Sequence, residues 1–473
     1  MSLQEKIGQL AQISGNAALS PIDPKELIRQ RGAGSVLWLN SPKDFNELQK
    51  IAIEESPSGI PILFALDVIH GYHTIFPVPL AMASSWDPDI VERAQAIAAK
   101  ESRAAGIHWT FAPMLDIARD PRWGRIVEGA GEDPYLGSAM AAAQVRGFQG
   151  DDPADPERVA ACAKHFAGYG AADGGRDYDP VFLSEAQLRN VYLPPFRAAA
   201  DAGVDSFMSA YMDLNNVPAS ANKWLLQKIL RKEWGYEGFV VSDAFATANL
   251  VIQGHAKDGK DASERAFKSG MNMDMASNSY NDHLETLYKE GKIKMKEIDA
   301  MVRPILELKV RMGLFENPYV DEALLEKVIA LKEHREAALL AAQRSMVLLR
   351  NEGNVLPLSK ELSKVAVIGP LADSKEATEG SWLVFDHKPA AVTVLEGVKA
   401  KLPNAKVTYA CGPTLKRDHP SMFEDFGLLE RKVAQTPEES QAAFDAAIKT
   451  AKAADTIIMV LGENAEMAGE YAS

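Results

Sequence analysis

Short apolar runs that stop abruptly at a polar or charged residue recur through the first 280 residues, and stretches with helical apolar spacing separate them. The runs are Gly34–Asn40, Pro61–Asp67, His108–Met114, Val159–Ala163 leading into Lys164 and His165, Asp205–Tyr211, Gly238–Asp243 and Met271–Met275. Helical spacing covers 43–54, 88–105, 138–149, 184–202, 222–234, 261–269 and 293–315. Strands alternating with helices imply right-handed crossovers and a parallel sheet. Six or seven such units over about 310 residues suit a TIM-like (β/α)8 barrel, irregular in its first strands, with a doubly wound sheet as the alternative. The barrel better explains why Asp67, Lys164, His165, Tyr211, Asp243 and Asp274 all stand at strand C-terminal ends, where barrel sites form. Before the first run, 5–14 has helical spacing (Ile7, Leu10, Ile13), and Leu27 and Ile28 continue a second short helix.

The pattern changes after residue 315. Residues 316–362 read as a linker carrying a helix from Val328 to Leu349, whose wide apolar face calls for a packing partner. A second α/β pattern fills 363–473: strand Lys364–Gly369, helix 393–402, strand Ala405–Tyr409, helix 437–453 and strand Thr456–Gly462. So few strands make a small sheet. The expectation is therefore the front part of an α/β domain, continued beyond Ser473 or completed by a separate piece.

Composition narrows the function. A net charge of −14 argues against nucleic acid, which requires clustered Lys and Arg. No apolar run is long enough to span a membrane, and the N-terminus has no signal-peptide core. Either the protein is cytosolic or the sequence begins after a removed leader. Cys162 and Cys411 form no metal-ligand spacing, and His70 and His73 alone are a weak one. Gly168-Tyr169-Gly170 and Gly174-Gly175 make neither a P-loop nor a dinucleotide fingerprint, and Ser242 lacks the flanking glycines of a nucleophile elbow. Neither a metal nor another cofactor is expected.

What remains is acid–base or nucleophilic chemistry on a neutral, hydroxyl-rich ligand. Asp67, Arg125, Lys164, His165, Tyr211 and Asp243 supply donors and acceptors of every kind. Two carboxyl groups about 5–5.5 Å apart suffice for glycoside hydrolysis with retention. Each residue also has a plainer role open to it. Asp67 and Arg125 can form a buried structural ion pair, Asp243 can cap the next helix, and Met271, Met273 and Met275 suit core filling.

Four ordered motifs then carry a resemblance. Asp67-Val68-Ile69-His70-Gly71, Pro121-Arg122-Trp123-Gly124-Arg125, Lys164-His165-Phe166-Ala167-Gly168-Tyr169-Gly170 and Val241-Ser242-Asp243 resemble glycoside hydrolase family three, in its periplasmic β-glucosidase branch. The resemblance runs from about residue 3 to the chain's last residue. It implies a barrel followed by an α/β sandwich, an active site between them, and retaining exo-hydrolysis of terminal β-D-glucosyl residues from short gluco-oligosaccharides or aryl glucosides without a cofactor. β-Xylosidase or mixed specificity is the alternative, and a non-catalytic sugar-binding protein is a further one. Carried over by motif, Asp243 is the nucleophile. Asp67, Arg125, Lys164, His165 and Tyr211 grip the sugar hydroxyls, Met208 lines the pocket, and Arg176 is an additional candidate. Lys164 and Arg125 beside Asp243 favour its ionised form. The resemblance also implies a periplasmic or secreted location.

The acid/base in this branch comes from a second-domain loop. Met467-Ala468-Gly469-Glu470 resembles that loop, so Glu470 is preferred to Glu463 and Glu466. Two departures matter. Many members have Trp directly after the nucleophile as a wall for the leaving group; here it is Ala244, and Trp382 is the candidate replacement. The N-acetylglucosaminidase branch takes its acid/base from an Asp-x-His pair in the barrel loop, which here reads Asp177-Tyr178-Asp179.

Overall fold

Eight short parallel strands close into a ring in the computed structural model, which describes residues 1–15, 23–39, 41–329, 331–383, 389–415, 421, 424 and 435–472, with Tyr471 by its backbone alone. Asn40 at the end of the first expected strand, and Ser473, lie outside the described residues. The ring comprises β1 (Ala11–Ser14), β2 (Ser35–Leu37), β3 (Leu63–Leu66), β4 (Trp109–Thr110), β5 (Cys162–Phe166), β6 (Ser206–Ser209), β9 (Phe239–Val241) and β10 (Asp274–Met275). A two-stranded hairpin, β7 (Asp213–Leu214) and β8 (Val217–Pro218), follows β6. Strands β10-β1-β2-β3-β4 form one ladder and β5-β6-β9 another. Single bridges, Trp109 to Ala160 and Val241 to Met273, join the two and complete the barrel.

The first strand departs from expectation. Residues 5–14 do not form one helix: the helix Leu3–Gln9 stops, and Ala11–Ser14 pairs with both β10 and β2. A four-residue strand buried along its whole length shows no alternation, so periodicity cannot separate it from a helix turn. Only the need to close the ring between β10 and β2 decides it.

The strands are buried on both faces: Trp109 and Phe239 meet inside the ring, while Phe64 and Phe207 turn outward onto Phe45 of the helix Pro42–Lys50 and Phe196 of the helix Pro194–Asp201, and Met271, Met273 and Met275 are buried as well. Trp109 meets Phe111 and Phe239 edge-on at 4.9 and 5.0 Å. Burying each such side chain contributes about 1.5–3 kcal/mol.

Beyond the barrel, the expected helix 328–349 is shorter and interrupted. It comprises Leu324–Ile329 and Lys332–Arg344, while 345–349 is non-helical and Met346–Leu349 is exposed. Small residues seat the second piece, with Ala337 and Ala341 packing on Phe76, Met82, Val91 and Ala94 of the barrel. His334 Nδ1 lies 2.7 Å from Glu101 Oε1 in the same contact. The second sheet has the order β12-β11-β13, all parallel: β11 (Lys364–Ile368) is central, flanked by β12 (Lys406–Ala410) and β13 (Thr456–Met459). Val365 and Val367 pack under the helix Val394–Lys401, and Ala366 and Ile368 under Pro437–Lys452, so helices cover both faces.

Backbone carbonyl contacts help dock this domain onto the barrel mouth. Gly469 N donates to Gly124 O at 2.7 Å, and His70 Nε2 lies 2.6 Å from Ser381 O.

Candidate active site

Strand β9 is sealed on all sides, and Gly238 before it is required by space. A Cβ there would lie 2.2 Å from the Tyr236 hydroxyl and 2.4 Å from Asp205 O. Ser242 stitches β9 to β10: its N–H donates to Met273 O at 2.9 Å, and its hydroxyl accepts from Met275 N at 2.8 Å. The strand thus delivers Asp243 rigidly to the barrel's C-terminal mouth. Ala244 N donates to Oδ1 at 2.7 Å. Oδ2 is buried, completes no hydrogen bond, and lies 3.6 Å from His165 Nε2. Such an atom is costly unless a ligand uses it.

Three cationic or imidazole groups surround this carboxylate. Lys164 Nζ donates to Asp67 Oδ1 at 2.6 Å. Burial opposes the lysine's charge, but Asp67 and Glu128 more than offset it, so its pKa is raised. Arg125 is buried and held in a two-pronged pair with Glu128, Nε to Oε1 at 2.9 Å and Nη2 to Oε2 at 3.1 Å. The expected Asp67–Arg125 ion pair is therefore replaced by two separate pairs, Asp67–Lys164 and Arg125–Glu128. Glu128 was not singled out from sequence, although its three-residue spacing from Arg125 was a usable signal.

Arg125 Nη2 also stands 3.0 Å from His165 Nε2. Guanidinium only donates, so that nitrogen accepts and the imidazole proton resides on Nδ1, 2.8 Å from Asp116 Oδ2. Burial and the charges of Arg125 and Lys164 push the His165 pKa well down, which agrees with a neutral ring. Asp116, missed in the sequence, also accepts from His165 N at 3.0 Å, and burial pushes its pKa up to about 8.

Burial likewise raises Asp243, to about 7. Glu470 adds to the rise, while Arg125 and Lys164 oppose it. Arg125 and Lys164 do favour the ionised form, as expected from the sequence, but burial of the carboxylate works against them.

Glu470 arrives from the other domain. Its loop is anchored at Gly469, whose φ of +77° suits glycine and whose added Cβ would stand 3.3 Å from Trp382 Nε1. Arg125 Nη1 is 3.4 Å from Glu470 Oε1, a charge contact without hydrogen-bond alignment. The Tyr178 hydroxyl donates to the same oxygen. Among the three acidic candidates, Glu470 is the one that meets Arg125 and Tyr178 in the described contacts, and Glu463 is exposed.

The remaining candidates divide. Trp382 joins the cluster, with Lys164 Nζ 5.1 Å and Arg125 5.9 Å above its indole. Met208 is buried beside Val241 in register, and Tyr211's phenol lies beside Asp243. Arg176 stays outside: it is exposed and pairs with Asp179 at 2.6 Å. Asp274 is taken up by local structure, accepting from Ser277 Oγ at 2.6 Å. After Ala244, Phe245 is part-exposed with φ +61° and packs 6.4 Å from Trp38.

A barrel whose mouth presents Asp243, closed by a second domain that brings Glu470, has the layout of a two-domain glycoside-processing scaffold. Comparison with known sequences places the chain: it belongs to glycosyl hydrolase family 3, matching the family's N-terminal domain over residues 2–308 and its C-terminal domain over 346–473. It is 40% identical over 483 residues to the periplasmic beta-glucosidase of Salmonella typhimurium, covering 100% of this chain and 62% of that protein. A beta-xylosidase of Formosa agariphila is 32% identical, covering 97% of this chain and 64% of the relative. The crystal structure of a beta-glucosidase from Listeria innocua with isofagomine superposes with a TM-score of 0.88 at 36% identity, over 100% of this chain and 64% of that one. The chain thus spans under two thirds of these relatives' lengths.

Proposed function

We propose that the protein is a retaining, exo-acting β-glucosidase that releases terminal non-reducing β-D-glucosyl residues from short oligosaccharides or aryl glucosides. The observation carrying this reading is that Glu470 of the second domain and Asp243 of the barrel face one arginine cluster: Arg125 touches Glu470 and, through His165, the neighbourhood of Asp243. Asp243 Oδ2 attacks the anomeric carbon, and Glu470 protonates the departing oxygen and then deprotonates water. Asp67, Lys164, Arg125, His165 and Tyr211 hold the sugar hydroxyls, with Met208 and Trp382 as apolar walls. Arg176 has no part in this arrangement. The named complexes of the Listeria innocua relative, with isofagomine, glucose and laminaribiose, support a β-glucoside ligand.

Residues 1–315 form the catalytic barrel, 316–362 the linker and 363–473 the sandwich portion in this proposal. A periplasmic or secreted location follows from the name of the Salmonella typhimurium relative. No described helix is long and apolar enough to cross a membrane.

The test is hydrolysis of 4-nitrophenyl β-D-glucoside with NMR detection of the first-formed anomer. β-Glucose appearing first supports the proposal. Absence of turnover, or α-glucose first, refutes it. Faster turnover of the β-xyloside would transfer the assignment to the xylosidase alternative.

A further inference from the structure

Both described contacts of the Glu470 carboxyl fall on one oxygen. Tyr178 donates its hydroxyl to Oε1, and Arg125 Nη1 approaches that same atom at 3.4 Å. Tyr178 is itself held firmly. Its ring meets Tyr211 edge-on at 5.3 Å and Tyr169 at 6.5 Å, and its N–H donates to its own Asp177 Oδ1 at 3.1 Å. Asp177 is in turn fixed by Trp123 Nε1 at 3.0 Å. Burial and the adjacent Glu470 charge push the phenol's pKa far up, so the hydroxyl remains a donor.

We propose that Tyr178 is a positioning residue for the acid/base step, pinning Oε1 of Glu470 so that Oε2 is the oxygen that exchanges the proton with the glycosidic oxygen. This inference rests on the hydrolase assignment above. In the first step Asp243 Oδ2 bonds to the anomeric carbon as the bond to the leaving oxygen breaks, and that oxygen takes the proton from Oε2. The negative charge left on Glu470 develops beside donors already aimed at Oε1, so no reorganisation is needed when it forms. In the second step Oε2 takes a proton from water as the water oxygen attacks and Asp243 departs. Without the Tyr178 hydroxyl the carboxyl can rotate, and the proton is no longer assigned to the oxygen facing the bond.

The variant Tyr178→Phe keeps the ring contacts and removes the hydroxyl. We expect kcat/KM for a disaccharide or an alkyl β-glucoside, whose leaving oxygen needs a proton, to fall by about 10–100-fold. For 2,4-dinitrophenyl β-glucoside, whose phenolate leaves without one, the fall should be under about threefold, because the lost contribution is acid catalysis alone. In a Glu470→Gln background the same change should add nothing, since the group it positions is gone. Equal losses on both substrates, no loss on either, or additivity with Glu470→Gln would each overturn the inference while leaving the hydrolase assignment standing. A wild-type protein inactive on every β-glycoside would overturn the assignment and the inference together.

Discussion

Replacing Glu470 by Gln should move the ionisation of Asp243, and the direction follows from the geometry. Asp243 is raised to about 7 because burial penalises its charged form and Glu470 adds repulsion. In the proposed mechanism Asp243 attacks as a carboxylate, so activity should be present above that value and be lost as pH falls through it. At the separation of about 5.5 Å that retention requires, two charges in an effective dielectric of about 20 repel by about 3 kcal/mol, or some two pH units. Arg125 screens part of this, since its Nη1 is 3.4 Å from Glu470 and its Nη2 is 3.0 Å from the imidazole that faces Asp243. A net downward shift of about one pH unit is therefore expected from the screened repulsion. The assay is the pH dependence of kcat/KM for 2,4-dinitrophenyl β-glucoside, which still reports the attack by Asp243 when the acid is gone. The acidic limb should move from near pH 7 to near pH 6. An unmoved limb, or one displaced upward, would refute the proposed opposition of the two carboxyl groups.

Asp243→Asn should abolish turnover yet stabilise the fold. Its raised pKa means that ionisation costs stability as pH rises from the unfolded value through about 7, so the melting-temperature gain should be largest at pH 8 and absent near pH 3. Lys309, buried with Nζ donating to Gln9 Oε1 at 2.7 Å, is lowered to about 7 by burial. Its charging costs nothing above pH 10.5, and the penalty grows as pH falls to 7. Lys309→Met should therefore raise unfolding free energy at pH 7 by about 2–3 kcal/mol, with the gain shrinking towards pH 10, as read from denaturant melts. Glu128→Gln removes the partner of a buried guanidinium and should cost about 3 kcal/mol in the same melts, together with most of the turnover.

Ten of the thirteen strands among the described residues fall on runs that local pattern exposes, because each is a short apolar segment cut off by a polar residue. Strand β1 escaped because wholly buried residues carry no period, and β7 (Asp213–Leu214) and β8 (Val217–Pro218) hold too few apolar residues to form a run. The site divides along the same physical line. Asp243, Lys164, His165 and Asp67 stand at strand ends, where position in the chain already fixes position at the barrel mouth. Glu128, Asp116 and Tyr178 act on Arg125, His165 and Glu470 through contacts bridging 3, 49 and 292 positions, and only the last two depend wholly on how distant loops meet.

The sequence by itself determined most of the alternating strands and helices and the carboxylate that follows β9, since both follow from local chemistry along the chain. Tertiary structure decided what that carboxylate is: a group raised to about 7, despite the two cations that oppose the rise. It also decided the ion-pair partners, Asp67 with Lys164 and Arg125 with Glu128, and the placing of Glu470 against Tyr178. Desolvation and pairing are properties of the space a residue occupies, and that space is built by segments hundreds of residues apart.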